Sequence, residues 1–263
     1  MASKKTARKR KKASAVATVG RSTMALPAEL EDEFAKYVNR DRASAGAAGW
    51  PFIKTEGSTP FMMLGEQKIG DANGALDAIV LGAVRINTHY EGDFQPGVVT
   101  PPTCFALADL AWDAAEIDAK LAPPAELPTK ASDACQGCRF NAFGSGRGNS
   151  KACKNSVRLA LIPADSKDFT KADGLLLNVP PASMKLWSSY VQPWASIGRP
   201  IFSVLTQIEK MPAQRGSGFT LHFTPMGPID DVESLRELAA RVSSDAEAAL
   251  TQPPMTGEAS TSS

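Results

Sequence analysis

The stretch Leu76-Asp77-Ala78-Ile79-Val80-Leu81-Gly82-Ala83-Val84-Arg85-Ile86-Asn87-Thr88-His89-Tyr90 decides how this chain is read. Leu76, Ile79, Val80, Leu81, Val84, Ile86 and Thr88 give it the aliphatic and β-branched character that suits a pleated, buried surface, and the spacing predicts one long strand. Pro96 to Pro102 breaks the run, and Cys104 to Leu107 resumes it as a short extended piece.

Shorter strands are expected on both sides of this centre. Trp50 to Lys54 and Phe61 to Leu64 lie upstream; Val157 to Ile162, Leu175 to Val179, Ile201 to Ile208 and Phe219 to Phe223 lie downstream. Pro180-Pro181 ends the second of the downstream runs, and Gly216-Ser217-Gly218 turns the chain between the last two. Ala182 to Ile197 reads as a helix with Met184, Trp187, Val191 and Trp194 on its apolar face, kinked or ended by Pro193. Ala114 to Lys130 reads as a loop with at most one helical turn. Glu29 to Arg42, with Leu30, Phe34 and Val38 at helical spacing, and Asp230 to Leu250 are flanking helices.

The resulting fold class is mostly β with flanking helices: about seven short strands, no strand–helix–strand rhythm, and 39 glycines and prolines to turn the chain. That points to a small, mostly antiparallel barrel or sandwich. Four segments follow: a disordered basic arm over 1–25, a helix and linker over 26–49, a β domain over 50–228 with a loop at 104–158, and a C-terminal helix and acidic tail over 229–263.

The net charge of +1 conceals segregation. Residues 1–12 hold seven basic groups and no acid, residues 230–263 hold seven acids against Arg236 and Arg241, and the body between is close to neutral. A basic arm and an acidic tail around a neutral body point to electrostatic partners, nucleic acid first among them, with a solubilising role for the arm as the alternative. The tail is expected to compete with nucleic acid for a basic groove, so truncation after Pro228 is expected to tighten binding. The longest apolar run, Ile79 to Val84, falls far short of the roughly 20 residues of a spanning helix. Ala13 to Val19 is too short for a secretory core, which places the protein in a cytosol, where cysteines are thiols or ligands rather than disulfides.

All four cysteines fall within fifty residues: Cys104, then Cys135-Gln136-Gly137-Cys138, then Cys153. A C-x2-C turn points two sulfurs the same way, and a second pair completes a tetrahedron, for which zinc is the default metal. Because the second pair is split around the first, His89 or His222 can stand in for Cys104, and an iron–sulfur cluster uses the same thiols. Otherwise the two histidines, each inside a predicted strand, read as sheet residues rather than bases. A redox C-x-x-C would need a strand–helix–strand setting, which is missing.

From Ala134 to Ala164 there is no acid, whereas Arg139, Arg147, Lys151, Lys154 and Arg158 are present, with Phe140 and Phe143 interleaved. Cations plus exposed rings are what a phosphate backbone with splayed bases requires. Trp50 or Tyr90 would add a platform on the sheet face. Gly144, Gly146 and Gly148 are expected to let backbone amides approach a ligand. Gly144 to Lys151 does not keep the spacing of a nucleotide phosphate loop, because Asn149 and Ser150 stand where glycine and lysine belong. His89-Tyr90-Glu91 followed by Cys135-x2-Cys138 lacks the proline of the zinc deaminase pattern, Ala134 occupying its place. No G-x-S-x-G elbow occurs. The chain therefore reads as a binding protein, not an enzyme.

The run Cys135-x2-Cys138-x-Phe140-Asn141-x-Phe143-Gly144-Ser145, continued by Lys151-Ala152-Cys153-Lys154-Asn155 and Arg158-Leu159, resembles a group of tailed-phage proteins. Pro102-Thr103-Cys104 upstream, and Pro180-Pro181-Ala182-Ser183-Met184-Lys185, Tyr190 and Gly198-Arg199-Pro200 downstream, extend the likeness over about 50–227. That group is similar in layout to phage single-stranded-DNA-binding proteins. The resemblance implies an oligonucleotide-binding (OB) barrel with an inserted zinc loop, acting in phage DNA replication and recombination in the host cytoplasm. Cys104, Cys135, Cys138 and Cys153 would bind Zn2+; Arg139, Phe140, Phe143, Arg147, Lys151, Lys154 and Arg158 would meet single-stranded DNA. The acidic tail would meet replication or recombination proteins, although Ala259 to Ser263 lack the acids and aromatic anchor of such tails. The rival is a virion structural or assembly protein that docks through the same loop.

Overall fold

The computed structural model describes residues 50–55, 60–92, 101–166, 168–169, 171–213 and 218–254. The basic arm and the helix expected over Glu29 to Arg42 lie outside the described residues, as does the end of the acidic tail. Nine strands form one sheet: β1 (Phe52–Lys54), β2 (Met62–Leu64), β3 (Gln67–Ile69), β4 (Leu76–His89), β5 (Cys104–Leu107), β6 (Lys154–Pro163), β7 (Leu175–Val179), β8 (Val204–Pro212) and β9 (Phe219–Pro228). Their order is β3-β2-β1-β7-β6-β4-β8-β9, with β5 paired to β4 off this path. Every pairing is antiparallel except β1 with β7.

The long strand β4 organises the sheet. Its first residues, Leu76 to Ile79, pair with β8, and its last, Ile86 to His89, pair with β5, while β6 runs along almost its whole length. The register with β6 shifts between Val80 and Gly82, and such a bulge bends a strand and resets which residues face which side. Ala78 and Val80 pack into one core before the shift; after it Ala83 does, and Val84 joins the opposite core.

The first core gathers Ile53, Met62 and Ile69 from one end of the sheet with Ile208 and Leu221 from the other, so the sheet curls around it. The helix α2 (Met184–Ser196) closes this side with Trp187 and Tyr190 buried, their rings packed with Phe223. The helix spans almost all of the predicted Ala182–Ile197, and of the two outcomes expected at Pro193 it does not end there. The proline stands on the exposed side, and the carbonyl it leaves without a partner belongs to Ser189, itself exposed.

The opposite core takes Ile79, Leu81, Ala160, Ile162 and Leu176 from the sheet and covers them with Leu238, Ala246, Ala249 and Leu250. Those four belong to α3 (Val232–Arg241), a wide helical turn over Val242–Ala246, and α4 (Glu247–Leu250). Residues 232–250 are therefore part of the folded body, and truncation after Pro228 would strip one face of the sheet. Several acids of this segment are also engaged: Asp230 pairs with Arg199, Asp231 caps α3, and Asp245 pairs with Arg241.

One helix was not expected. Residues Ala114–Lys120 form α1, because Asp113 accepts from the Glu116 backbone N–H at 2.8 Å while Glu116 accepts from the Asp113 N–H at 3.0 Å. This reciprocal cap satisfies two backbone donors of the first turn. Among the described residues no helix is long and apolar enough to cross a membrane.

Candidate metal and nucleic-acid site

The end of β4, β5 and the loop from Pro123 to Cys153 meet around one small cavity. Its walls include Asn87, His89, Cys104, Cys135, Cys138, Phe140, Asn141 and Cys153, so all four cysteines face a common space. That space is about 20 Å³, room for about one water-sized sphere. Cys104 arrives on β5, directly across the strand pair from His89. Cys135 is held by its N–H to the Leu121 carbonyl at 2.9 Å, Gly137 turns the knuckle with φ of +75°, and the Cys153 N–H closes the loop on the Phe140 carbonyl at 2.8 Å.

The thiols influence one another. Burial pushes the Cys153 thiol up to about 12, and Cys135, Cys104 and Cys138 add to the push while Lys151 opposes it. Burial also raises Cys135, against a hydrogen bond from the Asn87 side chain that favours its thiolate. All four are free thiols. Among the described residues no group of three or more His, Cys, Asp or Glu stands ready to hold a metal ion; the sulfurs line the cavity without having closed on a common centre. As a donor set, four thiols about an ion-sized space suit a soft divalent cation. His222, bonded to Thr220 on β9, is not among the cavity's walls.

A polar chain not read from the sequence ties this pocket to the surface. The Lys151 ammonium donates to Asn141 Oδ1 at 3.1 Å and Asn155 Oδ1 at 3.0 Å, and the Asn155 amide donates to Asn87 Oδ1 at 2.7 Å. Asn141 in turn donates to the Cys135 carbonyl at 3.0 Å. The available signal was Asn87 and His89 at alternate positions near the end of a largely apolar strand, hence on one face.

The structure sorts the expected nucleic-acid contacts. Arg139 and Arg147 are exposed, and Lys151 and Lys154 are half-buried. Phe143 is 76% exposed, with the Lys151 ammonium 5.0 Å from its ring centre. Phe140 instead stacks on His89 at 4.1 Å with 17° between planes and carries Arg139 at 4.6 Å, so it braces the loop. Arg158 is a correction: it is 0% exposed and donates to the carbonyls of Leu250 and Gln252, out of reach of any phosphate. The glycine cradle is corrected as well, since the Gly144 and Gly146 N–H groups both donate to the Ser150 carbonyl, leaving neither amide for a ligand. Trp50 is no platform either, for its ring lies against Gly174, where a Cβ would run into the indole, and under Arg241.

No family model, no curated protein and no solved structure matches this chain.

Proposed function

We propose that the protein binds single-stranded DNA without sequence preference, through the loop between Cys135 and Lys154, in phage DNA replication and recombination. The observation that carries this reading is Phe143, an exposed ring on an acid-free segment, with the Lys151 ammonium beside it and Arg139 and Arg147 exposed nearby. A base stacks on such a ring while the cations hold its phosphates, and neither contact depends on base identity. A ring among exposed cations on a segment with no acid from Ala134 to Ala164 suits a polyanion, which favours the nucleic-acid reading over a virion docking role.

Zn2+ is the proposed cofactor, held by Cys104, Cys135, Cys138 and Cys153; its support is their shared cavity and the mutual effect of their thiols. The metal would fix the loop's shape and do no chemistry, and the protein is read as a binding protein rather than an enzyme. An OB-like barrel is the proposed fold type, supported by the curled sheet and by the bent strand β4 that serves different partners along one edge.

The test is fluorescence anisotropy with labelled oligo-dT across a salt series, alongside elemental analysis of the purified protein. Binding that weakens steeply with salt and one zinc per chain support the reading. An affinity indifferent to salt, or none at low salt, would overturn it.

A further inference from the structure

The cavity has more donors than a four-coordinate ion can use. Besides the four thiols it is walled by His89, which is only 7% exposed, and neither ring nitrogen has a hydrogen-bond partner among the described residues. An imidazole buried this way forfeits its bonds to water and costs stability unless the site supplies a partner. His89 cannot swing away to find one, because its ring is stacked against Phe140 at 4.1 Å.

Its neighbours indicate what that partner is. Cys104 stands directly opposite it across β4 and β5. Two residues earlier on the same face, Asn87 walls the same cavity as Cys135. Cys104, Cys135, Cys138 and Cys153 all wall the cavity, so four sulfurs suffice for the tetrahedron and leave His89 surplus to it. Four thiolates around a divalent ion carry two net negative charges, and N–H groups aimed at the sulfurs offset that charge and orient the ligands. From this juxtaposition we propose that His89 is a positioning residue that donates a ring N–H to metal-bound Cys104 sulfur, while the metal itself stays tetrathiolate. This rests on the metal reading above.

The test is cobalt substitution in the full chain, read by thiolate-to-cobalt charge transfer and by the rate of cobalt loss to EDTA, for wild type, His89→Phe and His89→Gln. Phenylalanine keeps a ring to stack on Phe140 and removes the N–H; glutamine keeps a donor. The proposal expects four-thiolate charge transfer in all three proteins, with cobalt loss about tenfold faster or more in His89→Phe and largely restored in His89→Gln. A gain of sulfur charge transfer in His89→Phe over a three-thiolate wild type would make His89 a direct ligand and overturn the proposal. Equal loss rates in all three would overturn it too, reducing His89 to a packing residue. A wild type that takes up no cobalt would instead overturn the metal reading itself. Far-ultraviolet circular dichroism on each variant keeps misfolding apart from these outcomes, and should His89→Phe not fold, His89→Gln against wild type still decides between ligand and donor through its charge transfer.

Discussion

Arg158 donates through Nη1 to the Leu250 carbonyl oxygen at 2.9 Å, ninety-two residues further along the chain, and the same nitrogen reaches Gln252 at 2.6 Å. A cation from the middle of the sheet thus holds the end of the C-terminal helix, whose last carbonyls carry the negative end of its dipole. The guanidinium also lies 5.5 Å from the Phe52 ring, which joins β1 to the same anchor.

Replacing Arg158 with leucine should therefore destabilise the fold by about 3 kcal/mol, the cost of losing charge-assisted bonds and leaving their acceptors unpaired. The check is the urea midpoint, with the slope unchanged. Because Arg158 faces away from solvent, oligo-dT affinity of the folded variant should equal that of wild type; a loss would return Arg158 to the DNA contacts.

The two phenylalanines of the loop should separate cleanly. Phe143→Ala should weaken oligo-dT binding by about 1–3 kcal/mol, the worth of one base stack, and leave the urea midpoint in place. Phe140→Ala should do the reverse in the first instance, lowering the midpoint because it removes the ring that His89 packs on. Anisotropy and urea melts on both variants decide the matter, and a Phe143→Ala protein with full affinity would count against the stacking role.

Among the described residues, Arg139, Arg147 and Lys154 are the loop cations whose side chains make no hydrogen bond or ion pair, although Arg139 lies over the Phe140 ring, whereas Lys151 is engaged with Asn141 and Asn155. Each phosphate contact on a single strand contributes about −0.7 to the slope of log affinity against log salt, so three give roughly −2. Arg147→Ala should make the slope shallower by about 0.7. A larger drop for Lys151→Met than for Arg147→Ala would show that the loop's shape, rather than its charge count, governs affinity.

Much of the sheet was legible because strands β4, β6 and β7 are made of aliphatic and β-branched residues, and burial on both faces forces that composition. The short strand β3 (Gln67–Ile69) was not, having one buried residue in three. Helix α1 was missed although Asp113-x-x-Glu116 is a capping pattern, because the alanines and prolines around it read as loop. The cysteines were found by spacing and do share a cavity. What spacing could not reveal was the direction of side chains: Arg158 looked like a fifth basic residue of the loop, yet it sits on a strand whose pleat turns it into the body. The acidic C-terminal segment misled for a related reason, since charge counts do not register that Leu238, Ala249 and Leu250 bind it to the sheet.

The raised Cys153 thiol gives a pH dependence with a definite sign. An ordinary cysteine titrates near 9.0, and in the folded, metal-free chain burial and the other three sulfurs hold Cys153 to about 12. Between those values the folded state keeps a proton that the unfolded state has lost, so stability falls as pH rises through that window and is indifferent to this group below it. Metal-free protein should then show urea midpoints that are level from neutral pH to about 9 and decline above it. Cys153→Ser should flatten most of the decline, with the remainder due to Cys135 and Tyr190, both of which burial also raises. With zinc bound the sulfurs have already surrendered their protons to the metal, so the loaded protein should gain stability as pH rises to about 9, where the unfolded thiols ionise, and should lose the cysteine part of the decline above it. Midpoints that fall equally with and without zinc would mean the metal does not sit on these sulfurs.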